Sequence, residues 1–170
     1  TAGDVKRERE RIAGADAVLV QLEIPMEAVE TALAVAREGG AVTILDPAPV
    51  PDSPLSSTVL ENVSVLTPNQ SEAGELAGLD PDADPERSAA MLGRQGAEAV
   101  AVTLGASGVL LCRDGTTEAI PADRADPVDT VGAGDCFAAA LAVGLAEGQK
   151  WVDAAKFAVC AAAISTEREG

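Results

Sequence analysis

Short apolar runs alternate with helix-like segments along this 170-residue chain, and this alternation constrains the fold more than any other feature. The first pair is the apolar run 16–23 ("DAVLVQLE") and the segment 25–40, which begins with a proline and ends with two glycines, as helices often do. Strands that are separated by helices form right-handed crossovers and a parallel sheet. Further strands are predicted at 41–49, 63–69 and 97–105, and further helices at 70–78, 86–96, 133–147 and 150–165.

Residues 108–120 break the alternation, because two extended runs meet there at Asp114-Gly115, a dipeptide typical of tight hairpins. The sequence therefore predicts one α/β domain over residues 1–170. Its sheet is expected to be doubly wound and mostly parallel, with helices on both faces and one β-hairpin. In such sheets, ligands bind beyond the carboxyl ends of the strands. The loops at this edge are predicted to begin or end at Glu23, Asp46, Asn69, Gly105 and Gly132.

Composition excludes several classes of function. The chain has 28 acidic and 12 basic residues, so its net charge is −16, and we expect no nucleic-acid partner. It has no long apolar run and no histidine, which argues against a membrane span and against a Ser-His-Asp relay. We expect a cytoplasmic protein with reduced cysteines. The acidic surface suits a salt-rich cytoplasm, and it suits a GC-rich genome equally well.

The stretch 129–144 ("DTVGAGDCFAAALAVG") places two glycines and an aspartate at the start of an alanine-rich helix. The first amides of a helix have no partner within it, so residues 132–134 can form an anion site. In an ordinary glycine turn, Asp135 would instead serve only as the N-cap. A dinucleotide fingerprint is excluded by Phe137, which stands where glycine or alanine is required, and the chain contains no P-loop.

A carboxylate beside such amides can accept the proton of a hydroxyl while the amides balance charge on a transferring phosphoryl group. Asp135 therefore indicates a kinase that acts on an alcohol, and the same residue is expected to cap the helix. Cap and base are compatible roles for one side chain.

Several motifs, in order, resemble the ribokinase-like (PfkB) sugar kinases. "DTVGAGDCF" is similar to their C-terminal signature, and "LTPNQSE" contains their N-x-x-E motif as Asn69 and Glu72. "VTLGASG" is similar to their nucleotide loop, while "QLEIP" and "DPAP" resemble the ribokinase branch of the family. The resemblance implies a Rossmann-type, three-layer α/β/α fold and an ATP-dependent sugar kinase, with D-ribose as the expected substrate.

The resemblance also implies site residues. Asp135 would be the catalytic base, beside an anion hole made by the amides of Gly132, Ala133 and Gly134. Asn69 would lie near the ATP phosphates, and Glu72 would order Mg²⁺ through water. The expected nucleotide-site residues are Thr103, Gly105, Ala106, Ser107, Gly108 and Gly134. Glu23 would contact the sugar, although it could also be a solvated carboxylate at a strand end.

A monovalent-cation site for K⁺ is implied at Asp129 and the carbonyl of Val131, with Ser165, Arg168 and Gly170 completing it through their carbonyls. Asp129 is equally well suited to being a turn residue.

The family's N-terminal region contains a G-G-K-G-A-N sugar motif, further strands and a small lid, and these do not occur in the 170 residues. We therefore expect the isolated chain to be poorly active and to form a homodimer, or to self-associate in another way, through an exposed sheet edge. Two alternatives stay open. One is a kinase for another sugar or a nucleoside, such as fructose or 2-keto-3-deoxygluconate, and the other is a nucleotide-binding remnant without catalysis.

Overall fold

The computed structural model describes residues 1–122 and 125–167. Within these ranges the chain forms six strands, eight α-helices and one short 3₁₀ turn at Gly105–Ser107. The strands are β1 (Ala17–Gln21), β2 (Val42–Asp46), β3 (Val65–Leu66), β4 (Ala99–Thr103), β5 (Val109–Arg113) and β6 (Thr116–Ile120). The helices are α1 (Ala2–Arg7), α2 (Arg9–Ala13), α3 (Met26–Gly39), α4 (Ser57–Leu60), α5 (Gln70–Leu76), α6 (Pro85–Arg94), α7 (Ala133–Ala146) and α8 (Trp151–Ser165).

The six strands form one mixed sheet in the order β1-β2-β3-β4-β5-β6. Strands β1 to β4 are parallel, and β5 and β6 are added by antiparallel pairing. The predicted hairpin is confirmed: Asp114 and Gly115 connect β5 to β6 with φ of 52° and 72°. Positive φ at both central residues matches the right-handed twist of a two-residue hairpin.

Two apolar cores separate the sheet from a helical layer on each face. Along β4, Val100 and Val102 point into one core, while Ala99 and Ala101 point into the other. The crossover helices α3 to α6 cover the first face, and α7 and α8 cover the second. The predicted three-layer α/β fold is thus confirmed. Among the described strands, the order across the sheet is the same as the order along the chain. The helices of the second layer, α7 and α8, come after the β5–β6 hairpin in the sequence.

Local sequence explains where several helices begin and end. Helix α3 starts after Pro25 and ends at Gly40, whose φ of 85° is the left-handed conformation typical of a helix end. Helices α7 and α8 pack closely because Gly144 lies against Ala154: a Cβ added to Gly144 would be 3.1 Å from the Ala154 Cβ. Small residues therefore allow the second helical layer to form.

The structure also contains elements that the sequence did not predict. Helices α1 and α2 precede β1, and the short helix α4 precedes β3. Helix α1 is started by a capping box between Thr1 and Asp4. Over the residues described, none of the helices combines the length and the apolar character needed to cross a bilayer.

Candidate active site

Most of the predicted site residues gather at the carboxyl edge of the parallel strands. Gln21 and Asp46 end β1 and β2 as register partners. Asn69 follows β3 and forms an isolated bridge with Thr103, the last residue of β4. The Thr103 N–H donates to the Pro68 carbonyl at 2.9 Å, which joins the two loops. The ends of the four parallel strands thus lie side by side along one edge of the sheet, and α7 packs on β1 and β2.

The turn before α7 leaves backbone N–H groups without a partner. Gly132 has a φ of 75°, and its carbonyl accepts the first bond of the helix, from the Cys136 N–H at 2.9 Å. The Ala133 N–H donates to the Thr130 carbonyl at 3.3 Å. Within the described ranges, the N–H groups of Gly134 and Asp135 have no such partner. An added Cβ at Gly134 would meet nothing within 4 Å, so this backbone opens onto free space.

The expectation that Asp135 is the N-cap is wrong. Gly132 is the cap residue, and Asp135 is the third residue of α7. Its carboxylate is used elsewhere: Oδ1 accepts a hydrogen bond of 2.9 Å from Nε2 of Gln21. The other oxygen, Oδ2, would lie 4.0 Å from a Cβ placed on Gly132, so it faces the glycine turn. A negative charge in the first helical turn is also favoured by the helix dipole.

A cavity of about 460 Å³ opens beside this turn. Four residues of the predicted nucleotide loop line it: Thr103, Gly105, Ala106 and Gly108. The opposite wall comes from α7, α8 and the residue after α8, through Ala133, Gly134, Phe137, Val159, Ala162 and Thr166. Ser107 is exposed and does not line the cavity. The lining is mainly apolar, with an open helix N-terminus at one side.

Asn69 and Glu72 form a capping box at the start of α5. Asn69 Oδ1 accepts from the Glu72 N–H at 2.9 Å, and Glu72 Oε2 accepts from the Asn69 N–H at 2.8 Å. Partial burial raises the pKa of the Glu72 carboxyl, and the charges of Asp46 and Glu75 raise it further, against the lowering effect of the Asn69 hydrogen bond. A cation bound here would relieve this repulsion.

The structure brings Asp129 to the end of α8. The N–H groups of Val128 and Asp129 donate to the Thr166 carbonyl at 2.7 and 3.0 Å. Asp129 Oδ1 accepts from the Val131 N–H at 2.9 Å, as a turn residue does. The Ser165 hydroxyl donates to the Ala162 carbonyl at 2.7 Å. Arg168 and Gly170, also expected at the cation site, lie outside the described residues.

Side chains alone do not build a metal centre in the described part of the chain, which contains no group of three or more His, Cys, Asp or Glu residues suited to an ion. Glu23 lies exposed in the turn after β1, two residues beyond Gln21. Gln21, Asp46 and Thr166 were not assigned a role in the site from the sequence, although Asp46 was predicted to lie at a loop of the ligand-binding edge. The alternation of β1 and β2 could have indicated the first two, since it places both on the face that α7 covers.

Comparison with known proteins gives the family. The family model described as "pfkB family carbohydrate kinase" matches residues 6–170. A ribokinase from Haemophilus influenzae is 34% identical over 168 residues, covering 98% of this chain and 54% of that protein. A Bacillus subtilis ribokinase is 36% identical over 156 residues, covering 92% and 50%.

Solved structures agree. The chain superimposes on Arabidopsis thaliana ribokinase complexed with ribose and ATP with a TM-score of 0.88 and 30% identity, covering 96% of this chain and 54% of that one. For a Thermotoga maritima ribokinase the TM-score is 0.84 at 33% identity, with 96% and 54% covered. The chain thus spans about half the length of these relatives. Together with the site geometry, the match over nearly the whole sequence shows that this chain belongs to the pfkB family of carbohydrate kinases.

Proposed function

We propose that the protein containing this chain transfers the γ-phosphoryl group of Mg-ATP to a primary hydroxyl of a sugar, and that the sugar is D-ribose. One observation carries the proposal: the Asp135 carboxylate faces the Gly132 turn at the start of α7, where the N–H groups of Gly134 and Asp135 have no backbone partner among the described residues. The relatives named ribokinase, and the Arabidopsis ribokinase complexed with ribose and ATP, support the choice of substrates.

The residues present fit ATP. The cavity of about 460 Å³ has the size and the apolar walls of ligand pockets in general. Thr103, Gly105, Ala106 and Gly108 would hold the nucleoside part, and the first amides of α7 would hold phosphate oxygens. A side chain at position 134 would fill the space that the backbone leaves open. When bound, ATP supplies the phosphoryl group.

Asp135 would act as the base. Its Oδ2 faces the glycine turn and would accept the proton of the sugar hydroxyl as that oxygen bonds to phosphorus. The bond from phosphorus to the leaving diphosphate oxygen breaks in the same transfer. The N–H groups of Gly134 and Asp135 would balance the negative charge that develops on the transferred group.

The remaining residues would support this step. Glu72 would order Mg²⁺ through water, because a cation there offsets its repulsion with Asp46. Asn69 would lie near the phosphates, and Glu23 would contact the sugar. Asp129, Val131 and Ser165, with Arg168 and Gly170, would bind K⁺, chiefly through carbonyl oxygens.

We also propose that the 170-residue chain self-associates through β1. This strand has no neighbour on its outer side among the described strands, and its Leu19 is 40% exposed. The other edge strand, β6, exposes two threonines and Glu118 instead. Apolar residues on an unpaired edge favour strand pairing between copies, whereas charged ones oppose it.

The test of the main proposal is Asp135→Asn in the natural polypeptide that contains these residues, assayed with ribose by ADP release. We expect kcat to fall about 10²- to 10⁴-fold, as for the loss of a general base. ATP affinity, measured by calorimetry, should be kept, because the amides of α7 are unchanged. Asp153→Asn is the matched control, since Asp153 is the third residue of α8 as Asp135 is of α7.

Two results would argue against this function. Turnover by the Asp135→Asn protein close to that of the parent would remove Asp135 as the base. ATP binding by the unaltered protein, without turnover of ribose or another sugar, would support the nucleotide-binding alternative.

A further inference from the structure

The amide of Gln21 joins two carboxylates that come from different layers of the fold. Gln21 and Asp46 end adjacent strands as register partners, and Asp135 belongs to the helix that covers them. Nε2 of Gln21 donates to Asp46 Oδ2 at 3.0 Å and to Asp135 Oδ1 at 2.9 Å. One nitrogen with two hydrogens thus serves both acids.

This arrangement fixes how the amide is turned. An ionised carboxylate only accepts hydrogen bonds, and the amide oxygen of glutamine only accepts them too. If Oε1 of Gln21 replaced Nε2, it would face two negatively charged oxygens without a hydrogen between them. Asp46 therefore holds the nitrogen of Gln21 toward the site, and Gln21 in turn holds Oδ1 of Asp135.

We infer that Gln21 is a positioning residue for the reaction: it binds Oδ1 of Asp135, so that Oδ2 faces the Gly132 turn, and Asp46 acts through Gln21 by orienting its amide. The inference rests on the proposed function, in which Asp135 is the base. It extends that function because Gln21 would act on the rate through Asp135, without contacting the sugar hydroxyl or the phosphoryl group itself. It also gives Asp46 a role in positioning the base.

The physical need for such a residue comes from where Asp135 lies. Its carboxylate is exposed near the start of a helix, where it could rotate about its side-chain bonds. A reaction that depends on placing an oxygen against a hydroxyl loses rate steeply when the geometry drifts. The bond to Gln21 ties the base to the rigid end of β1 and removes this freedom.

Gln21→Met tests the inference, because methionine has a similar length and cannot donate a hydrogen bond. In the natural polypeptide we expect kcat to fall roughly 10- to 100-fold. KM for ATP and the melting temperature should stay close to those of the parent. Gln21→Glu should be worse, since it adds a third carboxylate and removes the donor. Gln95→Met, at the exposed end of α6, is the matched control and should not change kcat.

Combined variants separate this inference from the proposed function. If Asp46 acts through Gln21, the effects of Asp46→Asn and Gln21→Met on kcat will not add. In an Asp135→Asn background, Gln21→Met should cause no further loss. If Asp135→Asn itself leaves kcat unchanged, the proposed function fails.

Three outcomes would overturn the inference alone, given an inactive Asp135→Asn protein. The first is an unchanged kcat in Gln21→Met. The second is a loss of kcat in Gln21→Met that is accompanied by a similar fold-loss of ATP affinity and by a lower melting temperature. This result would indicate a merely structural role. The third is full additivity of the Asp46 and Gln21 effects. If Gln21→Met does not fold, Gln21→Glu provides the same comparison of kcat with ATP affinity.

Discussion

Glu72 is a residue on which folding and cation binding make opposite demands. Its carboxyl accepts the Asn69 N–H and so starts α5, yet burial and two nearby acids raise its pKa. A raised pKa in the folded state means that this group stabilises the fold below about pH 4.5 and that the contribution is lost as pH rises through the raised value. At neutral pH the charge of Glu72 therefore lowers the free energy of unfolding.

We predict that Glu72→Gln keeps the capping box and removes this cost. Glutamine at the third helical position also accepts from the cap N–H. The free energy of unfolding at pH 7 should stay equal or rise by less than about 1 kcal/mol, since the site is partly solvated. The gain in free energy of unfolding over the parent protein should vanish at pH 4. Mg²⁺-dependent turnover of Glu72→Gln should be lower than that of the parent.

Urea unfolding at the two pH values measures the effect. Glu86→Gln is the matched control, because Glu86 is an exposed acid in the first turn of α6 and is not among the charges that raise the Glu72 pKa. A lower stability of Glu72→Gln at pH 7 would show that the charge of Glu72 supports the fold.

At the scale of elements, the start of α7 uses its two glycines for different reasons. Gly132 needs its positive φ of 75°, which other residues adopt only with strain. Gly134 has no positive φ, and an added Cβ would meet nothing. The fold therefore does not require glycine at position 134, and the proposed phosphate site does.

We predict that Gly134→Ala separates stability from binding. Alanine in a helix is favoured over glycine by up to about 1 kcal/mol, so the melting temperature should rise slightly. ATP affinity should fall about 10-fold or more, because the methyl group occupies the space before the helix amides. Gly93→Ala in α6 is the control, since its added Cβ also meets nothing: it should gain stability and keep ATP affinity. Unchanged ATP binding by Gly134→Ala would contradict a phosphate site at this turn.

Sequence predicted most elements because their signals are local. The Asp114-Gly115 turn, the proline and glycines around α3, and the short apolar run of β4 each act within a few residues. The role of Asp135 as N-cap was wrong because an acid suits the first helical turn as well as the cap. The Gln21–Asp135 bond joins residues 114 positions apart, and no local pattern encodes such a contact.

At the scale of the whole molecule, the net charge of −16 opposes the compact state. Several of these acids meet at one place, because Asp46 and Asp135 share the amide of Gln21 and the Asp46 charge reaches Glu72. The charge was readable from composition, whereas its concentration at the carboxyl edge follows only from the sheet register. Added salt should screen this repulsion generally, and K⁺ should act in addition at a specific site.

These two effects of salt are separable with KCl, NaCl and choline chloride. The screening length falls from about 10 Å at 0.1 M to about 3 Å at 1 M, so all three salts should raise the melting temperature, by about 2–4 °C for each kcal/mol gained. Turnover should depend on K⁺ and not on choline.

Asp129→Asn removes a negative charge from the proposed K⁺ site, so it should remove the K⁺ effect on turnover. It keeps an oxygen that can accept from the Val131 N–H, so it should leave the general rise in melting temperature. Asp126→Asn, at an exposed position three residues earlier, should change neither. Equal turnover in KCl and choline chloride would exclude K⁺ from the mechanism, and a melting temperature that is indifferent to all three salts would show that the acidic surface does not strain the fold.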